Sequence, residues 1–182
     1  YALTAFWAGQ AGSLLFWAWT TALVGALFVF TRGYHSLGPG TRAGFWLFYA
    51  VVMAFFLLML TAWSNPFLEL VPAPSDGNGL NPLLQNPGMI FHPPLLFLGY
   101  AGFTVPACAA LGWVLERAGS GSSQGTARTG ETGGVGWIEA SRSFTLVAWL
   151  MLTAGILLGG WWSYMELGWG GYWAWDPVEN AS

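Results

Sequence analysis

Trp161 to Asn180, WWSYMELGWGGYWAWDPVEN, holds five of the chain's thirteen tryptophans, two tyrosines and three glycines, and no lysine, arginine, histidine or cysteine. Flat rings spaced by bare backbone suit a large planar apolar partner, because aromatic faces stack on it and glycine lets the main chain come close. The stretch lacks a strong metal donor, so an axial ligand for a metal in that partner has to come from elsewhere. The donors elsewhere are few: His35, His92 and a single cysteine, Cys108. One cysteine permits no internal disulfide and no CxxCH haem-attachment motif. A second reading of the aromatic residues is an interfacial belt. A belt accounts for Trp63, Trp113 and Trp137 and, with turns, for Trp161 to Trp175 less well, because Gly168, Gly170 and Gly171 do not help anchoring and mark a turn or a close approach. Platform and belt with turns both stand.

The elements that must position these residues are membrane spans. Of 182 residues 55% are hydrophobic and 7% charged, and the mean hydropathy is +0.53, whereas charged residues make up about a quarter of a soluble domain. The apolar runs predict four spans: within Leu3 to Phe30, over Ala43 to Ala62, from near Pro93 to Leu115, and from Ser143 to about Gly160. Each is long enough for a spanning helix of roughly 20 residues. The expected fold is all-α, a polytopic membrane helix bundle with an outer-side aromatic loop. Three regions follow: 1–115, three spans with the His92 loop; 116–142, a flexible cytoplasmic linker rich in glycine and serine; and 143–182, the fourth span and the tryptophan-rich segment. A net charge of −3 without lysine gives no footprint for nucleic acid.

Arg32, Arg42, Arg117, Arg128 and Arg142 all fall in the two loops that four alternating spans place on one side. The positive-inside rule makes that side cytoplasmic. The Trp63 to Phe91 loop and the aromatic stretch then share the outer side with His92. His35 reads as a solvated loop residue. Pro93 is expected to hold His92 extended at the mouth of the third span, where it serves either as a ligand or as a hydrogen-bonded interfacial anchor. Asp176-Pro177-Val178-Glu179 reads as a helix cap, with Asp176 accepting a backbone N–H and Glu179 reaching back. Glu166 reads first as solvated and second as a hydrogen-bond partner to a ligand or to a tryptophan N–H.

GLNPLLQNPGMIFHPPLLFLGYAGFTVP (Gly79 to Pro106) and ELGWGGYWAWDPVENAS (Glu166 to Ser182) closely resemble the CcmF family of cytochrome c maturation proteins, the membrane subunit of the bacterial haem lyase. FWAGQAGSLLFWAW (Phe6 to Trp19) is similar to that family as well. The resemblance implies that Trp169, Gly170, Trp173, Trp175 and Asp176 lie on the family's haem-handling signature, the WWD motif, on the outer face. It implies that His92 is one of two outer histidines on the haem iron. Trp161, Trp162 and Gly171 join the expected cofactor-binding set. A second outer histidine and the pair for a structural haem b have no counterpart here, so this is expected to be about one third of a typical member and inactive alone.

The implied reaction joins haem vinyl groups to the cysteine thiols of an apocytochrome c. The implied partners are haem, a haem chaperone, apocytochrome c, thiol-handling lyase subunits and the lipid bilayer of the bacterial inner membrane. No side chain in this piece need act as a general acid or base. The outer side has no basic residue for the haem propionates, so Asn81, Gln85, Asn86 or backbone N–H groups are the candidates there, and the piece alone is expected to hold haem weakly. Competing readings are a haem-transporting subunit without lyase chemistry, a lyase paralogue serving nitrite reductase, a transporter or channel whose tryptophans are anchors, and a structural docking module.

Overall fold

Each predicted span becomes a helix. The computed structural model describes residues 2–69, 71–73, 75–77, 79–120, 136–168 and 171. In chain order these form α1 (Ala2–Ala8), α2 (Gln10–Val29), α3 (Arg32–Ser36), α4 (Pro39–Ala62), a 3-10 turn (Pro82–Leu84), α5 (Gly88–Ser120) and α6 (Trp137–Glu166), with no strand among the described residues. Helices α2, α4, α5 and α6 are long and apolar enough to cross a membrane. The all-α polytopic bundle is borne out.

The boundaries differ in ways that matter for the site. The first apolar run is two helices: Gly9 is extended (φ −95°, ψ 151°), and α1 folds back on the start of α2, where a β-carbon on Gly12 would collide with the Phe6 carbonyl. Helix α5 starts at Gly88, five residues before Pro93, and α6 runs to Glu166 rather than Gly160. Helix also takes both flanks of 116–142, through Ser120 on one side and from Trp137 on the other. Residues 121–135 lie outside the described set.

Lipid tails are as apolar as leucine, so helices in a bilayer associate through close backbone approach and interhelical hydrogen bonds. The contacts here follow that rule. Helix α5 packs most extensively on α6. Along their seam, a β-carbon on Gly102 would lie 2.6 Å from Ala148 Cβ, one on Gly99 2.7 Å from Leu152 Cβ, one on Gly155 2.8 Å from Leu96 Cδ2, and one on Gly159 2.4 Å from His92 Cε1. The partners run in opposite order along the two helices, so the pair is antiparallel. Helix α4 crosses α5 at Gly44 and Gly112. Helix α2 meets α4 where the Tyr49 hydroxyl donates to the Thr21 carbonyl. Phe28, Phe45, Val105 and Ala109 fill the space between.

This packing separates the two ends of the bundle. Arg32 on α3, Arg42 at the start of α4, Arg117 near the end of α5 and Arg142 near the start of α6 share one end. There Arg117 stacks on Trp113, 4.0 Å from the ring centre, and Arg42 lies 5.9 Å from that of Tyr34. His35 is at this end too, exposed on α3, as its solvated reading expects. The first turn of α5 and the last turn of α6 meet at the other end.

Candidate functional site

The start of α5 is built by a local cap and a distant indole. Asn86 accepts the Gly88 N–H on Oδ1 at 2.7 Å, and the Met89 and Ile90 N–H groups bond to the Asn86 and Pro87 carbonyls, each at 3.0 Å. This nucleates helix before the prolines are reached, and His92 is helical. The expectation that Pro93 holds it extended is therefore corrected. A proline inside a helix orphans the carbonyl four residues back, which for Pro93 is that of Met89. The Trp7 indole N–H bonds to that carbonyl at 2.9 Å. The pre-proline bias is a preference, and here the cap and the indole outweigh it.

Helical geometry turns the half-buried His92 ring onto α6. Its Nδ1 lies 2.7 Å from the Gly155 carbonyl oxygen, and the ring rests on Gly159, with no side chain between. Trp161 and Trp162 stand less than one turn beyond Gly159 on α6. The Trp162 indole N–H donates to the Leu83 carbonyl at 3.2 Å, and both tryptophans line the space beside Gly88. Trp161 keeps 41% of its surface exposed, which leaves a ring accessible at this end.

The loop before α5 is tied to the end of α6 by a polar contact. Asn86 Nδ2 donates to Glu166 Oε1 at 2.6 Å, so Glu166 has a partner rather than being simply solvated. Of the amides considered for propionates, Asn81 is held through its Oδ1, which accepts from the Leu83 N–H, and Gln85 spends one Nε2 hydrogen on the Leu80 carbonyl. Helix α6 then closes with the Leu167 N–H on the Ser163 carbonyl and Gly168 at φ +66°, a left-handed exit that glycine adopts without strain. No atom of the described residues lies within 4 Å of where a β-carbon on Gly171 would sit. Trp169, Gly170, Trp173, Trp175 and Asp176, with the expected cap at Asp176 to Glu179, lie outside the described residues.

Replacing Asn86 by Asp tests the loop clamp. It swaps a donor for a second carboxylate against Glu166, and leaving a charged group without its hydrogen bond costs about 1–3 kcal/mol or more. The expected result is release of residues 80–87, seen as faster proteolysis in that loop and a red-shifted tryptophan emission. Unchanged cleavage would show that the contact carries no weight.

Sequence reasoning missed Trp7, Gly155 and Gly159 as parts of this arrangement, and it had Asn86 as a propionate candidate rather than as the cap of α5 and the partner of Glu166. The small-xxx-small spacing of Gly155 and Gly159 is a readable sign of close helix contact, but not of what approaches. Among the described residues no group of three or more His, Cys, Asp or Glu could hold a metal ion.

Residues 7–182 match the family described as Cytochrome C assembly protein. Among curated relatives, the chain is 44% identical over 182 residues to the probable cytochrome c-type biogenesis protein NrfE of Escherichia coli, covering 99% of this chain and 30% of that protein. It is 43% identical to the cytochrome c-type biogenesis protein CcmF of Pseudomonas aeruginosa and 40% identical to the biogenesis protein ccl1 of Rhodobacter capsulatus, in each case over all of this chain and 25% of the relative. The chain thus spans between a quarter and a third of the length of these relatives. No solved structure matches it. A multi-pass helix bundle matched along nearly its whole length in this way belongs to the cytochrome c assembly protein family, among the CcmF and NrfE type of cytochrome c-type biogenesis proteins.

Proposed function

We propose that this chain is the part of a bacterial cytochrome c haem lyase that holds haem at the His92 end of the bundle, on the outer face of the cytoplasmic membrane. The observation that carries this reading is the seating of His92 on Gly155 and Gly159, beside Trp161, in a chain of this family. His92 offers an axial nitrogen. Trp161 offers an exposed ring, and Trp169, Gly170, Gly171, Trp173, Trp175 and Asp176 follow from the resemblance as the rest of the platform. Trp162 holds the 80–87 loop through its indole N–H.

Haem brings the reactive vinyl groups: each cysteine thiol of the apocytochrome adds across one, forming a C–S bond while the thiol hydrogen goes to the neighbouring carbon. The chain's task is orientation. The four described arginines at the opposite end of the bundle support the outer placement through the positive-inside rule. The haem chaperone, the thiol-handling subunits and the ligands of a structural haem b belong to the remainder of the assembly. Similarity to the NrfE of E. coli and the CcmF of P. aeruginosa is nearly equal, 44% and 43%, so a nitrite reductase paralogue stays within this reading.

The test is the absorption spectrum of the full-length protein, wild type against His92→Ala, with cytochrome c yield measured in cells. Loss of the outer haem signal and a fall in yield of at least about tenfold are expected, in line with removal of a residue essential to metal binding. Retention of both would overturn the assignment.

A further inference from the structure

We infer that the backbone of α6 selects which nitrogen of His92 faces a metal, making Gly155 and Gly159 positioning residues for the ligation proposed above, on which this role rests. A carbonyl oxygen only accepts, so at 2.7 Å from the Gly155 oxygen the Nδ1 atom carries the hydrogen and donates it. A neutral imidazole has one N–H, which leaves the in-plane lone pair on Nε2. In a continuous helix the Gly155 oxygen already accepts from the residue four positions on, and its second lone pair is what the imidazole uses. Metal-bound histidines commonly donate their other N–H to a carbonyl, which fixes the tautomer and raises the basicity of the ligating nitrogen.

The glycines make that bond reachable. A β-carbon on Gly159 would lie 2.4 Å from Cε1, 2.8 Å from Nδ1 and 3.2 Å from Nε2 of His92. The ring therefore lies against bare backbone, and any side chain at 159 pushes it off the carbonyl. One turn away, a β-carbon on Gly155 would come within 3.0 Å of the Leu96 nitrogen, so a second glycine sets the helix spacing that the hydrogen bond requires. A histidine that merely tied two helices together would use the same bond, but its removal would not move the properties of a bound iron.

The experiment uses the full-length protein with ring-15N histidine, studied by solid-state NMR before haem is added. The His92 signal is identified by its loss in His92→Gln. The expected spectrum has Nδ1 protonated and Nε2 bare. Gly159→Ala is expected to abolish that preference, weaken haem affinity about 10–100-fold and lower the ferrous Fe–N(His) stretching frequency seen by resonance Raman. Gly102→Ala is the control. Its β-carbon crowds Ala148 on the same seam at 2.6 Å, but ten residues along α5 from His92, about 15 Å, so tautomer and Fe–N stretch should hold. Protonation at Nε2 in the wild type, or a Gly159→Ala protein with unchanged tautomer and Fe–N stretch, overturns the inference. A haem spectrum unaffected by His92→Gln, with Nδ1 protonated all the same, overturns the ligation itself and with it the metal-facing role, while the interhelical hydrogen bond stands.

Discussion

Gly112→Val is expected to leave little folded protein in the membrane. A β-carbon at 112 would lie 2.5 Å from the Thr41 carbonyl oxygen, 2.6 Å from the Phe45 nitrogen and 3.0 Å from the Gly44 carbonyl carbon. All three are backbone atoms of α4, so no side-chain rotation relieves the clash and α4 has to move as a body. Overpacking in an adaptable core typically costs about 1–3 kcal/mol; a rigid helix crossing should exceed that range. The shift would pull Phe45 and Tyr49 away from Val105, Cys108 and Ala109, which share one buried cluster with them. Two comparisons isolate the cause. Gly44→Ala meets Gly112 Cα at 2.5 Å from the other side and should repeat the loss, whereas Gly119→Ala, with no atom of the described residues within 4 Å of its new carbon, should be neutral or gain up to about 1 kcal/mol from reduced unfolded-state entropy. Monodisperse yield after detergent extraction and the denaturant midpoint measure all three. A stable, monodisperse Gly112→Val protein would mean that α4 and α5 do not cross here.

The sequence was most legible where the signal is long and redundant. Four charge-poor runs can hardly be anything other than spans, and the arginines already mark one end of the bundle. Short-range signals were less trustworthy. Pro93 alone argues for an extended His92, yet Asn86 six residues earlier and Trp7 eighty-five residues earlier reverse the outcome, one by starting the helix and the other by satisfying the Met89 carbonyl. No local pattern carries the second effect. Gly9 hid inside an apolar run because hydropathy is blind to a single backbone break. On the site, residue types pointed to His92 and to the aromatic stretch, but which helix face the histidine meets depends on the register of α5 against α6. That register is set by glycines on both helices, and spacing within one helix does not disclose it.

Glu116→Gln is expected to loosen the far end of the bundle without touching the histidine. Helix α4 begins at Pro39 behind Gly38, which has no side chain to cap it, and the first N–H groups of a helix have no partner of their own. Glu116 supplies the cap from α5: Oε1 accepts from the Gly40 N–H at 3.1 Å, and Oε2 accepts from the Thr41 N–H at 2.9 Å and from the Thr41 hydroxyl. A carboxylate is doubly suited to this place, since it accepts on both oxygens and meets the positive end of the α4 dipole. Glutamine keeps the shape but turns an NH2 group toward a backbone donor, and hydrogen bonds to a charged group are worth about 1.5–3 kcal/mol each. A loss of about 2–3 kcal/mol follows, part of it shared with Thr41, which is 2% exposed. Thr41→Val removes only the hydroxyl, so the double variant should cost less than the sum of the singles. Glu116 lies 24 residues along α5 from His92, about 36 Å at 1.5 Å per residue. The haem spectrum of the folded Glu116→Gln protein should therefore match the wild type while its unfolding midpoint drops. An unchanged midpoint would remove Glu116 as the cap, and a changed spectrum would show that the two ends of the bundle are mechanically coupled through α5.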